Sequence, residues 1–324
     1  MMLSQALWTR ARRLWPVLAA ALVAAPGAAQ DHAGAVPDPA GQSPAANGPR
    51  EIVVPGNRVL APRAITTDLR RLTVREKFTE RPPRFFDPLC PVVAGLDPPL
   101  AERIAARIRA NGAIAKLPPA KPDCRPNAFI IVVDEPAKIF EQLLKKRPSL
   151  IGTYEFRDRP LGTVRAELAA GQPAVSWSQM TQRPTNGVLL GNLDGNELRT
   201  NSIPRLRPTV MMQKDTAVVL FDRRRLVDVE VGQLADFATL HLLGGPRPGA
   251  DLEGITVPTL MTLFRDGPKA APDGLTEFDR AYLAALHALN GEALGKPLAA
   301  KVMALYEEEC ALEGGTCEVT GPAP

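Results

Sequence analysis

The chain has 324 residues, 45% of them apolar and 23% charged, with a formal net charge of +4 and a pI near 9.0. Three of those four net positive charges are Arg10, Arg12 and Arg13, so the basicity belongs mostly to the first 29 residues. The rest of the chain is close to neutral, which excludes nucleic acid as a natural partner.

Residues 1–29 read as an export signal. The three arginines form the positive end, Leu14 to Ala25 is a short apolar run interrupted by Pro16, and Gly27-Ala28-Ala29 supplies the small residues for cleavage after Ala29. The apolar run is about half the length of a membrane span, so no transmembrane segment is expected after cleavage. No cysteine precedes Cys90, which excludes a lipid-modified N-terminal cysteine. The expected location is the periplasm or the exterior. Residues 30–50 are rich in Ala, Pro, Gly and Ser and read as a disordered tether. Residues 51–83 read as an extended N-terminal segment that opens with a strand candidate, Glu51–Val54.

Residues 84–309 read as one α/β domain with a mixed sheet. A proline-rich stretch from Arg81 to Pro99 carries Cys90. Leu100 to Ala110 has apolar positions Leu100, Ile104, Ala105 and Ile108 and predicts a helix, ended by Asn111-Gly112. The β-branched run Ala128–Val133 predicts a buried strand. A helix over Ala137–Lys145 comes next, then a weaker one over Val164–Ala170 and a strand over Ala174–Gln179. Gln182 to Leu206 is rich in turn residues. Thr216 to Phe221 predicts the clearest strand.

The helix expected next, Val231 to Leu243, organises the rest. At about 100° per residue it places Leu234, Phe237, Ala238, His241 and Leu242 on one face, and Gly244-Gly245-Pro246 ends it. Pro258 to Phe264 fits a short helix or a strand. Thr276 and Asp279 fit a capping box for a helix that buries Phe278, Tyr282, Leu286 and Leu289. Pro297 opens a last helix to about Glu309, and residues 310–324 form a cysteine-closed tail.

The four cysteines admit three pairings, and chain order favours Cys90 with Cys124 and Cys310 with Cys317. Their spacings do not match paired CxxC metal ligation, and export makes disulfides the expected state.

No GxSxG, GxxxxGK[ST] or GxGxxG motif occurs, and the only histidines are His32, His241 and His287. The segment Phe237-Ala238-Thr239-Leu240-His241-Leu242-Leu243-Gly244 resembles the active-site helix of zincin metallopeptidases, His-Glu-x-x-His-x-x-Gly. In that motif two histidines one turn apart hold zinc and the glutamate activates water. His241 and Gly244 match, while Phe237 and Ala238 stand where the first histidine and the glutamate belong. Leu275-Thr276 through His287 is similar to the "LT-x-x-D" helix of secreted zincins, and Met261 to their methionine turn. In overall layout the chain also resembles exported alphaproteobacterial proteins of unknown function.

The resemblance implies a zincin-like scaffold without catalytic residues, metal or cofactor. Phe237 cannot ligate a metal and Ala238 cannot accept a proton. The expectation is therefore a non-enzymatic binding or envelope-associated role with an envelope or periplasmic partner. Two alternatives stand beside it. One is a metal-dependent peptidase with unusual ligands including His241; the other is a polar small-molecule binder using Gln182–Leu206. The binding residues singled out are His241 and the triplet Arg223-Arg224-Arg225, an anion-site candidate or a solvated turn.

Overall fold

The computed structural model describes residues 60–73, 83–151, 161–184, 210–245, 252–288 and 297–312. A four-stranded mixed sheet lies between two sets of helices. Its strands are β1 (Pro91–Ala94), β2 (Ala128–Val133), β3 (Ala174–Pro184) and β4 (Val210–Asp222), in the spatial order β1-β2-β4-β3. β1, β2 and β4 run parallel, and β3 is an antiparallel edge strand. The expected α/β class with one mixed sheet is what the chain adopts.

The period-two alternation of the strands assigns each side chain to a face. Ala128, Ile130 and Val132 of β2 and Ala217, Val219 and Phe221 of β4 point to one face. There they meet α2 (Pro98–Ile114), α6 (Val231–Leu243) and α8 (Glu277–Ala288), with α1 (Pro62–Leu72) and α9 (Pro297–Leu312) completing that layer. Val218 and Leu220 of β4, with Val175 and Trp177 of β3, point to the other face. They pack on residues of α3 (Pro136–Lys146), α4 (Pro148–Ile151) and α5 (Leu161–Ala169). A short α7 (Leu263–Asp266) comes after a 3₁₀ turn at Leu260–Thr262 in the connection from α6 to α8. The Pro258–Phe264 stretch is thus helical and not a strand.

β2 and α6 have the expected bounds, and β3 and β4 extend past theirs. Three expectations are corrected. Asn111-Gly112 does not end α2, which runs on to Ile114. Asn111 points inward to bond with α6, and Gly112 packs close to Leu89, so the pair serves the core and not a turn. The segment read as extended carries α1, whose Ile65, Leu69 and Leu72 recur at helical spacing and are buried. Pro62 sits at its first turn, where its missing N–H costs nothing. The last helix continues to Leu312, into the range assigned to the tail. The signal, the tether, the Glu51–Val54 strand and residues 185–206 of the turn-rich stretch lie outside the described residues. Among the described residues no helix is long and apolar enough to cross a membrane.

Cys90 and Cys124 are bridged with their Cα atoms 6.1 Å apart, tying the start of β1 to the loop before β2. Cys310 is also disulfide-bonded, and its expected partner Cys317 lies outside the described residues.

Candidate functional site around α6

All of α6 from Gln233 to Leu243 is buried. A helix apolar on every side is stable only inside a core, and α6 fills the space between the sheet and helices α2 and α8. Burial forces each of its polar side chains to find a partner. Gln233 Nε2 donates to the carbonyls of Pro268 and Pro272 at 2.9 and 3.0 Å. Its Oε1 accepts from Glu230 N at 3.2 Å, at the helix entrance. Thr239 Oγ1 bonds back to Ala235 O at 2.8 Å.

Asp236 has the densest set of bonds. Arg107 of α2 donates to it through two nitrogens at 2.7 and 2.6 Å, Asn111 Nδ2 at 2.7 Å, and Leu275 N at 3.1 Å. One carboxylate therefore joins α2, α6 and the segment entering α8. The Asp236 bond holds the Arg107 guanidinium above its ordinary pKa. Gly274 lies against this pair, since a Cβ there would come within 2.8 Å of Asp236 Oδ2.

His241 lies in the last turn of α6, facing β3. Its Nδ1 is 3.2 Å from Ser176 Oγ, within hydrogen-bond distance. Its ring stacks on Phe237 with centroids 4.2 Å apart and planes 30° apart. This is the i,i+4 relation that puts two side chains on one face. Phe237 in turn meets Phe264 edge-on at 4.9 Å and Phe221 at 5.9 Å. The position a first zinc histidine would take is therefore inside an aromatic cluster. Ala238, where a glutamate would stand, is fully buried, and Met261 packs in the same core. Among the described residues no three His, Cys, Asp or Glu side chains converge.

The α6 terminus is held by a buried lysine. Lys214 of β4, 1% exposed, donates Nζ to Leu242 O and Leu243 O at 2.9 and 3.2 Å. A cation at the negative end of a helix satisfies carbonyls that have no partner within it. Gly245 follows with φ +68°, in the left-handed region that glycine adopts without strain.

The α8 entrance is a second buried polar centre. Thr276 N donates to Asp279 Oδ2 at 3.2 Å and Asp279 N to Thr276 Oγ1 at 3.1 Å, which is the expected capping box. Asp279 also accepts from Thr259 Oγ1 at 2.5 Å and Leu260 N at 2.9 Å. It is fully buried, and desolvation pushes its carboxyl up to about 6 against these bonds.

Arg223, Arg224 and Arg225 form a 3₁₀ turn at the far end of β4. Arg223 donates to Gly95 O at 2.8 Å and pairs with Asp134 at 3.1 Å, while Arg224 pairs with Asp222 at 2.7 Å. β3 Ser176, under His241, is opposite Val219. That register sets Arg223 four residues, or about 13 Å, further along the strand. The triplet and His241 are not one site. Asp236 and Lys214 were missed by sequence reading. A charged residue inside an apolar helix or next to a β-branched strand was the available signal.

No protein family, curated protein or solved structure matches this chain.

Proposed function

We propose that the chain is an exported protein with a binding role in the cell envelope. Its scaffold is of the zincin type, with the metal-binding and water-activating positions replaced by Phe237 and Ala238. The observation that carries this reading is the Phe237–His241 stack. An aromatic ring occupies the space in which a second imidazole and a metal ion would sit, and Ser176 stands at hydrogen-bond distance from Nδ1 of the one histidine. Ala238 supplies no base to deprotonate a metal-bound water.

Support for export comes from the leader pattern of residues 1–29 and from the Cys90–Cys124 bridge, since disulfides persist in oxidising compartments. The edge position of β3 and the burial of α6 behind it suit a scaffold that presents a surface without chemistry at its centre.

Elemental analysis of the purified protein, with thermal melts in the presence and absence of a chelator, tests the reading. The expected result is no stoichiometric zinc and the same melting temperature with chelator. Stoichiometric zinc would overturn it and favour the metallopeptidase alternative built on His241. So would a melting temperature that EDTA lowers in the wild type and leaves unchanged in His241→Ala. N-terminal sequencing of periplasmic material should begin at Gln30; an intact Met1 in a membrane pellet would refute the export reading.

A further inference from the structure

His287 lies in the last described turn of α8. Its Nδ1 lies 3.0 Å from Leu283 O, one turn back. A carbonyl only accepts, so Nδ1 carries the proton and the neutral ring presents a bare lone pair at Nε2. That Nε2 is buried and has no hydrogen-bond partner among the described residues.

Two cations stand around it. Arg84 Nη1 donates to Leu286 O and His287 O at 3.2 Å each, capping α8. Lys214 caps α6 through Leu242 O and Leu243 O. The two share a backbone junction, because Lys214 N donates to Arg84 O at 2.8 Å. Burial first, then the charges of Arg84 and Lys214, hold the imidazole down to about 4 against the Leu283 bond.

We infer that His287 is an acid-sensitive latch: a proton gained at Nε2 expels the ring from its pocket and frees the last turn of α8 from the Arg84 cap. The step is a single protonation from solvent with no other covalent bond changed; the hydrogen bonds of His287 to Leu283 O and of Arg84 to Leu286 O and His287 O open with it. Among the described residues, the charged groups that act on the ring, Arg84 and Lys214, push in this direction. The segment before β1 contributes Arg84 and β4 contributes Lys214. α6 offers the carbonyls of Leu242 and Leu243, which accept from Lys214. α9 brings the buried Val302 and Tyr306, and its Glu309 pairs with Arg280 near the opposite end of α8. Asp279, on α8 itself, is eight residues away, about 12 Å along the axis. Among the described residues no carboxylate stands beside Nε2 to receive the new N–H. A neutral ring is accommodated there and a cationic one is not.

Amide hydrogen exchange of the full chain across pH 7 to 4, corrected for intrinsic rates, tests the latch. The amides of Leu283 to Ala288 should lose protection about tenfold per pH unit on acidification below about 6.5. The loss should level off near pH 4, at about 300-fold in all. Amides of β2 and β4 should not change with them. In His287→Gln the acid-dependent loss in α8 should vanish; a loss of the same size in that variant would overturn the inference. Should the variant fail to fold, the wild-type profile decides alone, since protection of these amides that is flat from pH 6.5 to 4 refutes the latch.

Discussion

On the α3–α5 face of the sheet the buried set is almost wholly hydrocarbon and aromatic. Phe140 meets Trp177 edge-on at 5.3 Å, with Ile151, Val164, Val175, Val218 and Leu220 around them. The Trp177 indole N–H is satisfied by Leu150 O at 2.9 Å. On the α6 face a larger apolar core encloses Gln233, Asp236, Thr239, His241, Asp279 and Lys214, each with a named partner. Apolar packing tolerates substitution as long as volume is kept. A buried polar group requires one arrangement, because leaving it unpaired costs about 1–3 kcal/mol. The first face holds the sheet together; the second fixes where α2, α6 and α8 stand relative to one another. That is the region where a site would need precision.

The largest effects should come from the aromatic residues and should distinguish the faces by their optical signature. Phe237→Ala opens a cavity among Phe221, Phe264 and His241, and Phe140→Ala opens one beside Trp177. Each should cost about 3–5 kcal/mol in urea unfolding. Trp177 is the sole tryptophan after residue 29. In protein cleaved at Ala29, Phe140→Ala should shift the native emission spectrum and Phe237→Ala should leave it unchanged. Equal spectral shifts would mean that the faces are not independent cores.

The next effect is a pH dependence confined to the α6 face. The Asp279 carboxyl ionises near 6 in the folded protein against 3.8 in its reference state. Between those values the folded state binds more protons, so this group's contribution falls as pH rises through the window, by about 3 kcal/mol. His287 works oppositely. It titrates near 4 when folded against 6.5, so the unfolded chain binds more protons and stability falls as pH drops from 6.5 to 4, again by about 3 kcal/mol. In the wild type the two nearly cancel. Asp279→Asn should leave a protein that loses stability on acidification across that range, and His287→Gln one that gains it. Parallel slopes in the two variants would sink this account.

Removing the Asp236 carboxylate should cost less. Asp236→Ala strands Leu275 N and leaves Asn111 Nδ2 with Thr239 Oγ1 as its acceptor, while half-exposed Arg107 is free to turn to water. The expected loss is about 2 kcal/mol, with Arg107→Ala smaller because its guanidinium is screened by solvent. A double-mutant cycle in which the two losses add would show that the pair is not coupled.

How much of the fold and of the site was legible depended on the length scale of the signal. β2 and α6 could be read to the residue, because β-branched alternation and a 3.6-residue apolar period are local patterns with clear stops. Asn111-Gly112 misled for the same reason. The pair has the composition of a helix stop, but Asn111 has a partner 125 residues away that outweighs local propensity. β1 is four residues among prolines and exists only because β2 is there to pair with it. α1 carries its i, i+4, i+7 pattern openly, yet the surrounding composition suggested extension. At the site, the shared face of Phe237 and His241 was readable from helical spacing. The partners Ser176, Arg107 and Lys214 were not, since sequence does not say which strand or helix lies opposite.

The smallest effect bears most directly on what α6 is for. If His241 is a structural residue, its contribution includes the hydrogen bond to Ser176 and the ring face against Phe237. Truncation in His241→Ala should then cost about 1–3 kcal/mol. His241→Phe, which keeps the stack and loses the bond, should cost less than the alanine variant if stacking dominates. It should cost as much or more if the lost bond to the Ser176 hydroxyl dominates. Ser176→Ala should be milder than either, because Nδ1 is then the only group deprived of a partner at that contact. A ligand-holding residue behaves differently: its replacement by phenylalanine commonly relieves strain and raises stability. A His241→Phe variant more stable than the wild type would mark α6 as a working site and break its parallel with the structural core on the opposite face.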